Sequence, residues 1–377
     1  MNTHLSICLM AAALLCGDPA RAEAPLFASD TVMRLTIPLD FSSLCRPRET
    51  EECEFAPTTL TWGDDKGEKR SVPVGVKIRG GWRSLARNCS TPLLWLRFAE
   101  ANVVGTPFEG QSLLPLTTHC GKGVSAEAYA RATKRSDFEQ YLLREFLAHR
   151  AYNVLTDLSL RARLVRISYP DPERPARSKL HYAFLTEHFD AAAARTGNQR
   201  PERGSFEPSR LDAQAAARLA LFQFMIGNTD WSIARERNTI LLQNDEGRQL
   251  PVPYDFDMSG LVAADYAGPA VGVPVDNVRD RYFLGYCQQG IDWDALFAEF
   301  NANREPILEL DDRLPGMSRS SQQWVHRFLE GFFDILSSPE RRRELIEEAC
   351  QPWPPSPIDH MTPPNSRKGQ AHGLQPN

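Results

Sequence analysis

The sequence predicts an α+β protein with a β-rich N-terminal lobe and a mainly helical C-terminal lobe. Three observations lead there. Short alternating or β-branched runs, separated by Gly, Pro and Asp, fill the stretch from Thr31 to about Cys120. At Ser136 the pattern S-x-x-E, a capping box, opens a long apolar segment whose period is helical. A second apolar helix, over 212–228, runs into a polar stretch rich in Asp and Asn.

The expected strands are VMRLTIPLDF (32–41), TTLTW (58–62), VPVGVKI (72–78), PLLWLRF (92–98) and LLPLTTH (113–119), arranged as antiparallel hairpins and a meander. The helix SDFEQYLLREFLAHRAYNVLT is apolar on most of its circumference, so it should pack on several sides. Two further strands, RARLVRISY (161–169) and HYAFLTEHF (181–189), precede a Gly/Pro/Arg-rich loop over 195–210. Residues 321–348 read as helical. The organisation expected is a signal over 1–22, a β-rich region with a Glu-bearing helix over 23–190, a second region over 191–350, and a Pro-rich disordered tail over 351–377.

The 377 residues carry 43 Lys+Arg against 48 Asp+Glu, a net charge of −5. No net positive field exists to exchange for released counterions, which argues against a nucleic-acid binder. Residues 5–16, LSICLMAAALLC, followed by Ala20-Arg21-Ala22, read as a secretory signal cut after Ala22, so an exported, periplasmic or secreted protein is expected. Nothing after it is long enough to span a membrane. The cysteines that remain, Cys45, Cys53, Cys89, Cys120, Cys287 and Cys350, are even in number and lack the C-x-x-C spacing of a zinc site. Sequence proximity pairs Cys45 with Cys53 and Cys89 with Cys120, leaving Cys287 with Cys350.

The informative segment is IGNTDWSIARERNTILLQNDEGRQLPVPYDFDMSG, 226–260. A buried helix ends in a polar loop holding Asn228, Asp230 and Asn238. A hairpin follows and ends in Tyr254-Asp255-Phe256-Asp257. Carboxylates and an amide at the ends of a hairpin suit a hard divalent cation, since Mg²⁺ takes one or two carboxylates and completes its shell with water and phosphate. An aspartate before the hairpin can accept a proton from an attacking hydroxyl, the division of labour that phosphoryl transfer requires. Simpler roles stand beside these: an Asx-turn for Asn228 and Asp230, an i,i+4 pair with His149 for Glu145, a plain surface turn for RGGWR. No G-x-S-x-G or H-E-x-x-H occurs.

The Glu-bearing helix, the strand with an acidic end in FLTEHFD, and the order D…N…DFD resemble the atypical kinases related to the spore-coat protein CotH. More distantly they are similar to the toxin kinase HipA, through GN-x-D followed by Asn and a Tyr-Asp strand end. A group of secreted bacterial proteins shares the RG-x-x-R segment, the T-H-C strand end, IGNTDWS and VPYDFDxSG. The resemblance covers about Val72 to Val262 and implies a two-lobed protein-kinase-like fold with ATP and Mg²⁺ in the cleft. It implies Asp230 as catalytic base, Asn238 and Asp255 as metal ligands, and Asp257 as the alternative metal aspartate. Glu145 is implied as partner of the phosphate-binding cation, and Lys77, Arg79, Gly80, Gly81 and Arg83 as a hairpin turn over the phosphates. Glu187, in FLTEHFD, joins the cofactor-binding set. No lysine occurs between Gly80 and Gly121, where such a kinase carries its strand lysine, so Arg97 is the nearest cationic substitute. The function implied is phosphoryl transfer to a hydroxyl on a protein or envelope component. The rival is a catalytically impaired pseudokinase that binds a ligand or protein. A third reading, DFD as the diphosphate-metal motif of a glycosyl transferase, lacks the surrounding βαβ alternation.

Overall fold

The computed structural model describes residues 25–46, 53–63, 68–121, 137–171 and 178–355. The expected signal over 1–22, Ser136 of the capping box and the tail from 356 onward lie outside these residues. What is described is a mixed α+β protein: a strand-rich N-terminal part followed by helices and one hairpin.

Seven strands make the first part: β1 (Met33–Thr36), β2 (Ala56–Gly63), β3 (Lys69–Ile78), β4 (Leu94–Arg97), β5 (Leu113–Thr117), β6 (Ala162–Ser168) and β7 (Leu180–Thr186). A short helix, α1 (Glu100–Val103), links β4 to β5. The strands do not stop at hairpins and a meander, as the sequence predicts, but close into a barrel in the order β1-β2-β3-β4-β5-β7-β6. A parallel pairing of β1 with β6, from Met33↔Val165 to Thr36↔Ser168, completes it. Closure leaves no open sheet edge, the cheapest way for short strands to satisfy their outermost amides. The period of two decides what fills the inside: Leu35, Leu60, Val74, Leu96, Leu116 and Ile167 point inward and are buried.

Helix α2 (Phe138–Leu155) lies between β5 and β6 in sequence and packs on the outer face of β6 and β7, where Phe146 meets Phe184 at 5.8 Å. Asp137 caps it, its carboxylate accepting from the Gln140 N–H at 3.3 Å. Of its 18 residues 13 are buried, so it is clasped on several sides as its composition predicts. One of the buried residues is Glu145.

After β7 come α3 (Phe189–Arg195), α4 (Ala213–Met225), the hairpin β8 (Thr239–Gln243) and β9 (Gln249–Pro253), then α5 (Trp293–Ala302), α6 (Arg304–Leu308), α7 (Arg319–Ser337) and α8 (Pro339–Arg342). Asp212 caps α4 by accepting from the Ala215 N–H at 2.8 Å. The turn of the β8–β9 hairpin is closed by Asn244, whose side chain accepts from the Arg248 N–H, with Gly247 at φ 78°. Helix α4 runs through a second core in which Phe222 touches both Tyr152 of α2 and Phe256 beyond β9. The hairpin exit is therefore held against α2 by aromatic packing.

The three disulfides pair as expected: Cys45–Cys53, Cys89–Cys120 and Cys287–Cys350. Such bonds persist in oxidising compartments. No helix among the described residues is long and apolar enough to cross a membrane.

Candidate functional site

The residues that gather are those of the turn after β3, the middle of α2 and the exit of β9. Beyond β3 the Arg79 N–H still donates to Leu93 O, and Gly80 then turns the chain at φ 93°, a conformation that favours glycine. A short 3₁₀ turn, Trp82–Ser84, follows. It is pinned by the Asn88 side chain donating to Trp82 O at 2.8 Å and by Arg46 donating to Ser84 O at 2.6 Å. The Cys89–Cys120 disulfide closes the far end of the same loop.

This turn buries Arg83 to 7% exposure and faces it with three carboxylates. Its Nη1 donates to Glu145 Oε2 at 3.2 Å, its Nη2 to Asp255 Oδ1, and its Nε lies 3.4 Å from Asp257 Oδ2. Arg83 is thus the cation opposite Glu145, and the i,i+4 pair with His149 does not form. The His149 ring packs instead on Phe184 and Phe256, and burial drives its pKa down to about 3, so it stays neutral. Arg79 stands close by, donating to Thr117 Oγ1 at 2.9 Å with its guanidinium over Trp95, and its own Nε is buried without a hydrogen-bond partner.

Two guanidiniums, Arg83 in contact and Arg79 beside it, against three carboxylates set the electrostatics. Burial pushes the Asp257 carboxyl up to about 7 against the pull of Arg83, and the charges of Asp255 and Glu145 push the same way. Burial likewise raises Glu145. Burial works against the charge of Arg83, but Asp257, Glu145 and Asp255 together outweigh it and hold its pKa raised. Arg79 is lowered to about 10, first by burial and then by Arg83, and remains charged at neutral pH.

The second group forms around Asp230. Asn228 is a structural residue, as the Asx-turn alternative has it: its Oδ1 accepts from the Asp230 N–H at 2.9 Å, and its carbonyl accepts from the Trp231 indole at 3.0 Å. The Asp230 carboxylate is used differently. Asn238 Nδ2 donates to Asp230 Oδ2 at 3.1 Å and to Asp230 O at 2.7 Å, and Arg237 forms an ion pair with the same carboxylate. The eight-residue separation is folded back by paired hydrogen bonds between Ser232 and Arg237, with Glu236 and Asn238 in left-handed conformations. Asn238 O then accepts from the Tyr254 N–H at 3.0 Å, which sets Asp255, itself at φ 62°, one residue further on. Of the five non-glycine residues with positive φ among the described residues, four lie between Glu236 and Ala263, and such conformations are tolerated where surrounding structure over-determines them.

The two halves of the segment are stitched together by the backbone. Gly260 N–H donates to Gly227 O at 3.0 Å, and Leu261 N–H to Ile226 O at 2.9 Å. A Cβ on either glycine would meet the Phe328 ring of α7 at 2.9 Å.

The structure therefore brings Arg83, Glu145, Asp255 and Asp257 together and pairs Asp230 with Asn238. Arg79 borders the first group, and Gly80 and Gly81 form its turn. Lys77, Arg97 and Glu187 are not brought in. Lys77 and Arg97 point outward from the barrel and clasp Phe55, at 4.8 and 4.1 Å from its ring. Glu187 is buried in a bidentate pair with Arg195 at 2.9 and 3.0 Å and also accepts from the Arg161 N–H. Two neighbours escaped the sequence reading. Tyr266 hydrogen-bonds Asp257, and the half-exposed Trp82 packs at a tilt on Tyr266, ring centroids 5.3 Å apart. No spacing signal marks either residue.

Among the described residues no group of three or more His, Cys, Asp or Glu is placed to hold a metal ion by itself. Asp255, the more open of the two aspartates, and the Asn238 amide still match the donor set of Mg²⁺, which needs only one or two carboxylates when phosphates supply the rest.

No family model and no curated protein matches the chain. Among solved structures it is similar to the Helicobacter pylori proinflammatory kinase CtkA, with 11% identity and a TM-score of 0.40, over 73% of this chain and 95% of that one.

Proposed function

We propose that this chain is an exported, kinase-like protein that transfers a phosphoryl group from ATP to a hydroxyl on a protein or envelope component. The observation that carries the reading is the paired geometry: Asn238 on the Asp230 carboxylate and on the Tyr254 N–H, and next to Tyr254 an Asp255 that shares Arg83 with Glu145. A base with its adjacent amide, and a cation fixed between a helix glutamate and a hairpin-end aspartate, are the parts that phosphoryl transfer uses. Asp255 and the Asn238 side-chain oxygen would hold Mg²⁺, which supplies charge neutralisation across the phosphates. Arg79 and Arg83 would orient the phosphate chain. Asp230 would take the proton of the acceptor hydroxyl as its oxygen bonds to the γ-phosphorus and the bond to the β-phosphate oxygen breaks.

Phosphate-transfer assays on the mature chain test this. Asp230→Asn should lose about 100-fold or more in transfer while nucleotide-induced thermal stabilisation persists. Absence of transfer by the wild type, or equal transfer by the variant, overturns it.

A specific observation favours the pseudokinase reading. All three nitrogens of Arg83 face carboxylates, and Arg237 rests on the Asp230 carboxylate. That reading expects nucleotide binding without turnover.

A further inference from the structure

A cavity of about 1140 Å³ opens on the barrel and shares no residue with the groups around Arg83 and Asp230. Its origin is a strand mismatch. β1 pairs with β2 only at Leu35↔Trp62 and Thr36↔Thr61, although β1 begins at Met33 and β2 runs on to Gly63. The cavity lies where the two strands part.

Side-chain alternation then decides its chemistry. Leu35 and Trp62 point into the barrel, so Arg34, Gly63 and Lys69 point out. Gly63 is paired with Lys69, and Arg34 lies one position beyond the last β1–β2 pair, so the three form a row across adjacent strands. Arg34 and Lys69 are exposed, and their side chains make no hydrogen bond or ion pair among the described residues. Between them a Cβ on Gly63 would meet nothing within 4 Å, which leaves an open floor. The next row carries the hydroxyls of Thr36 and Thr61. Behind them Arg163 is buried, donating to Leu26 O at 2.7 Å and to Thr31 O at 3.1 and 3.2 Å, and Arg70 stands at the rim. Arg34 and Lys69 thus line the cavity from the outer face and Arg70 and Arg163 from the inner, and no Asp or Glu is among its described lining residues. This positive charge is that of the lining alone, since Asp64, Asp65 and Glu68 stand close by in sequence.

We propose that this cavity binds a multiply charged, phosphate-bearing chain. Guanidinium forks and hydroxyl donors match the several oxygens of a tetrahedral oxyanion, where a carboxylate offers only two. Arg34 and Lys69 hold the anion from either side of Gly63, with the Thr36 and Thr61 hydroxyls in the next row.

The test is calorimetric titration of the full chain with sodium tripolyphosphate and, separately, with a glycerol-phosphate polymer, at low and at physiological salt. Binding should weaken with salt. The double variant Arg34→Glu/Lys69→Glu changes only exposed side chains and should lose about tenfold or more in affinity with an unchanged melting temperature; Arg34→Gln should show a smaller loss. Preference for tripolyphosphate assigns a free inorganic chain, and preference for the polymer a chain borne on a larger molecule; both support the site. No binding by the wild type, equal binding by the double variant (which would place the anion elsewhere on the molecule), or equally tight binding of poly-glutamate overturns it.

Discussion

Arg83 and Arg195 are both largely buried guanidiniums on acidic partners, and the difference lies in stoichiometry. Arg195 meets one carboxylate, Glu187, in a bidentate pair, and its remaining donors go to the carbonyls of Asp157 and Ser159. Charge is balanced, and the pair ties α3 to the segment before β6. Arg83 meets three carboxylates from two distant parts of the chain and cannot neutralise them all. A balanced pair has nothing left to offer a ligand. The cluster instead balances its carboxylates partly by protonation, with Asp257 raised to about 7 and Glu145 raised, so a further cation or a change of pH alters it.

The sharpest way to break this comparison is to remove each arginine's hold in turn. Arg83→Met should cost about 3–5 kcal/mol at pH 8, measured by urea unfolding, and distinctly less at pH 5, where Glu145 and Asp257, both raised, take up protons. Glu187→Gln should cost about 3 kcal/mol with no such relief, because the other partners of Arg195 are backbone carbonyls, which take up no proton. Equal pH behaviour in the two variants would erase the distinction.

A gentler probe is the pH dependence of the wild type without metal. The Asp257 carboxyl stands at about 7 in the fold against an ordinary 3.8, so the folded state holds more protons than the unfolded between those values. Its contribution is fully present below the lower value and is lost as pH rises through the upper one. Unfolding curves should show this decline between about pH 4 and 7, and Asp257→Asn should flatten it. Smallest of all, Arg97→Ala should cost only about 0.5 kcal/mol and leave nucleotide-induced stabilisation intact, since its partner is Phe55 and not the cluster.

Much of this architecture is legible in the residues. Alternation marks the strands, apolar content on all sides marks α2, and the paired Asp and Asn of 226–260 mark the ends of a hairpin. The cation of the cluster is less legible. A strand lysine is sought by period, but Arg83 sits in an irregular turn held by Asn88, Arg46 and a disulfide, where no period applies. Lys77 and Arg97 occupy strands and look right, yet their parity sends them to the outside of the barrel. Glu187 fails for a related reason: an acidic strand end reads the same whether it faces a ligand or Arg195 eight residues on. Closure of the barrel depends on β1 meeting β6 across more than a hundred residues, which no local pattern records. The sequence reading also passes over α5, although Asp292 caps it.

The seam between Gly227 and Gly260 has a consequence for how this molecule can change over time. The spacing between the Asp230 loop and the Asp255 strand end is held by main-chain bonds, with the Phe328 ring wedged behind them, in addition to the Asn238 contact with the Asp230 carboxylate. Individual side chains there can be exchanged while the frame that presents them persists.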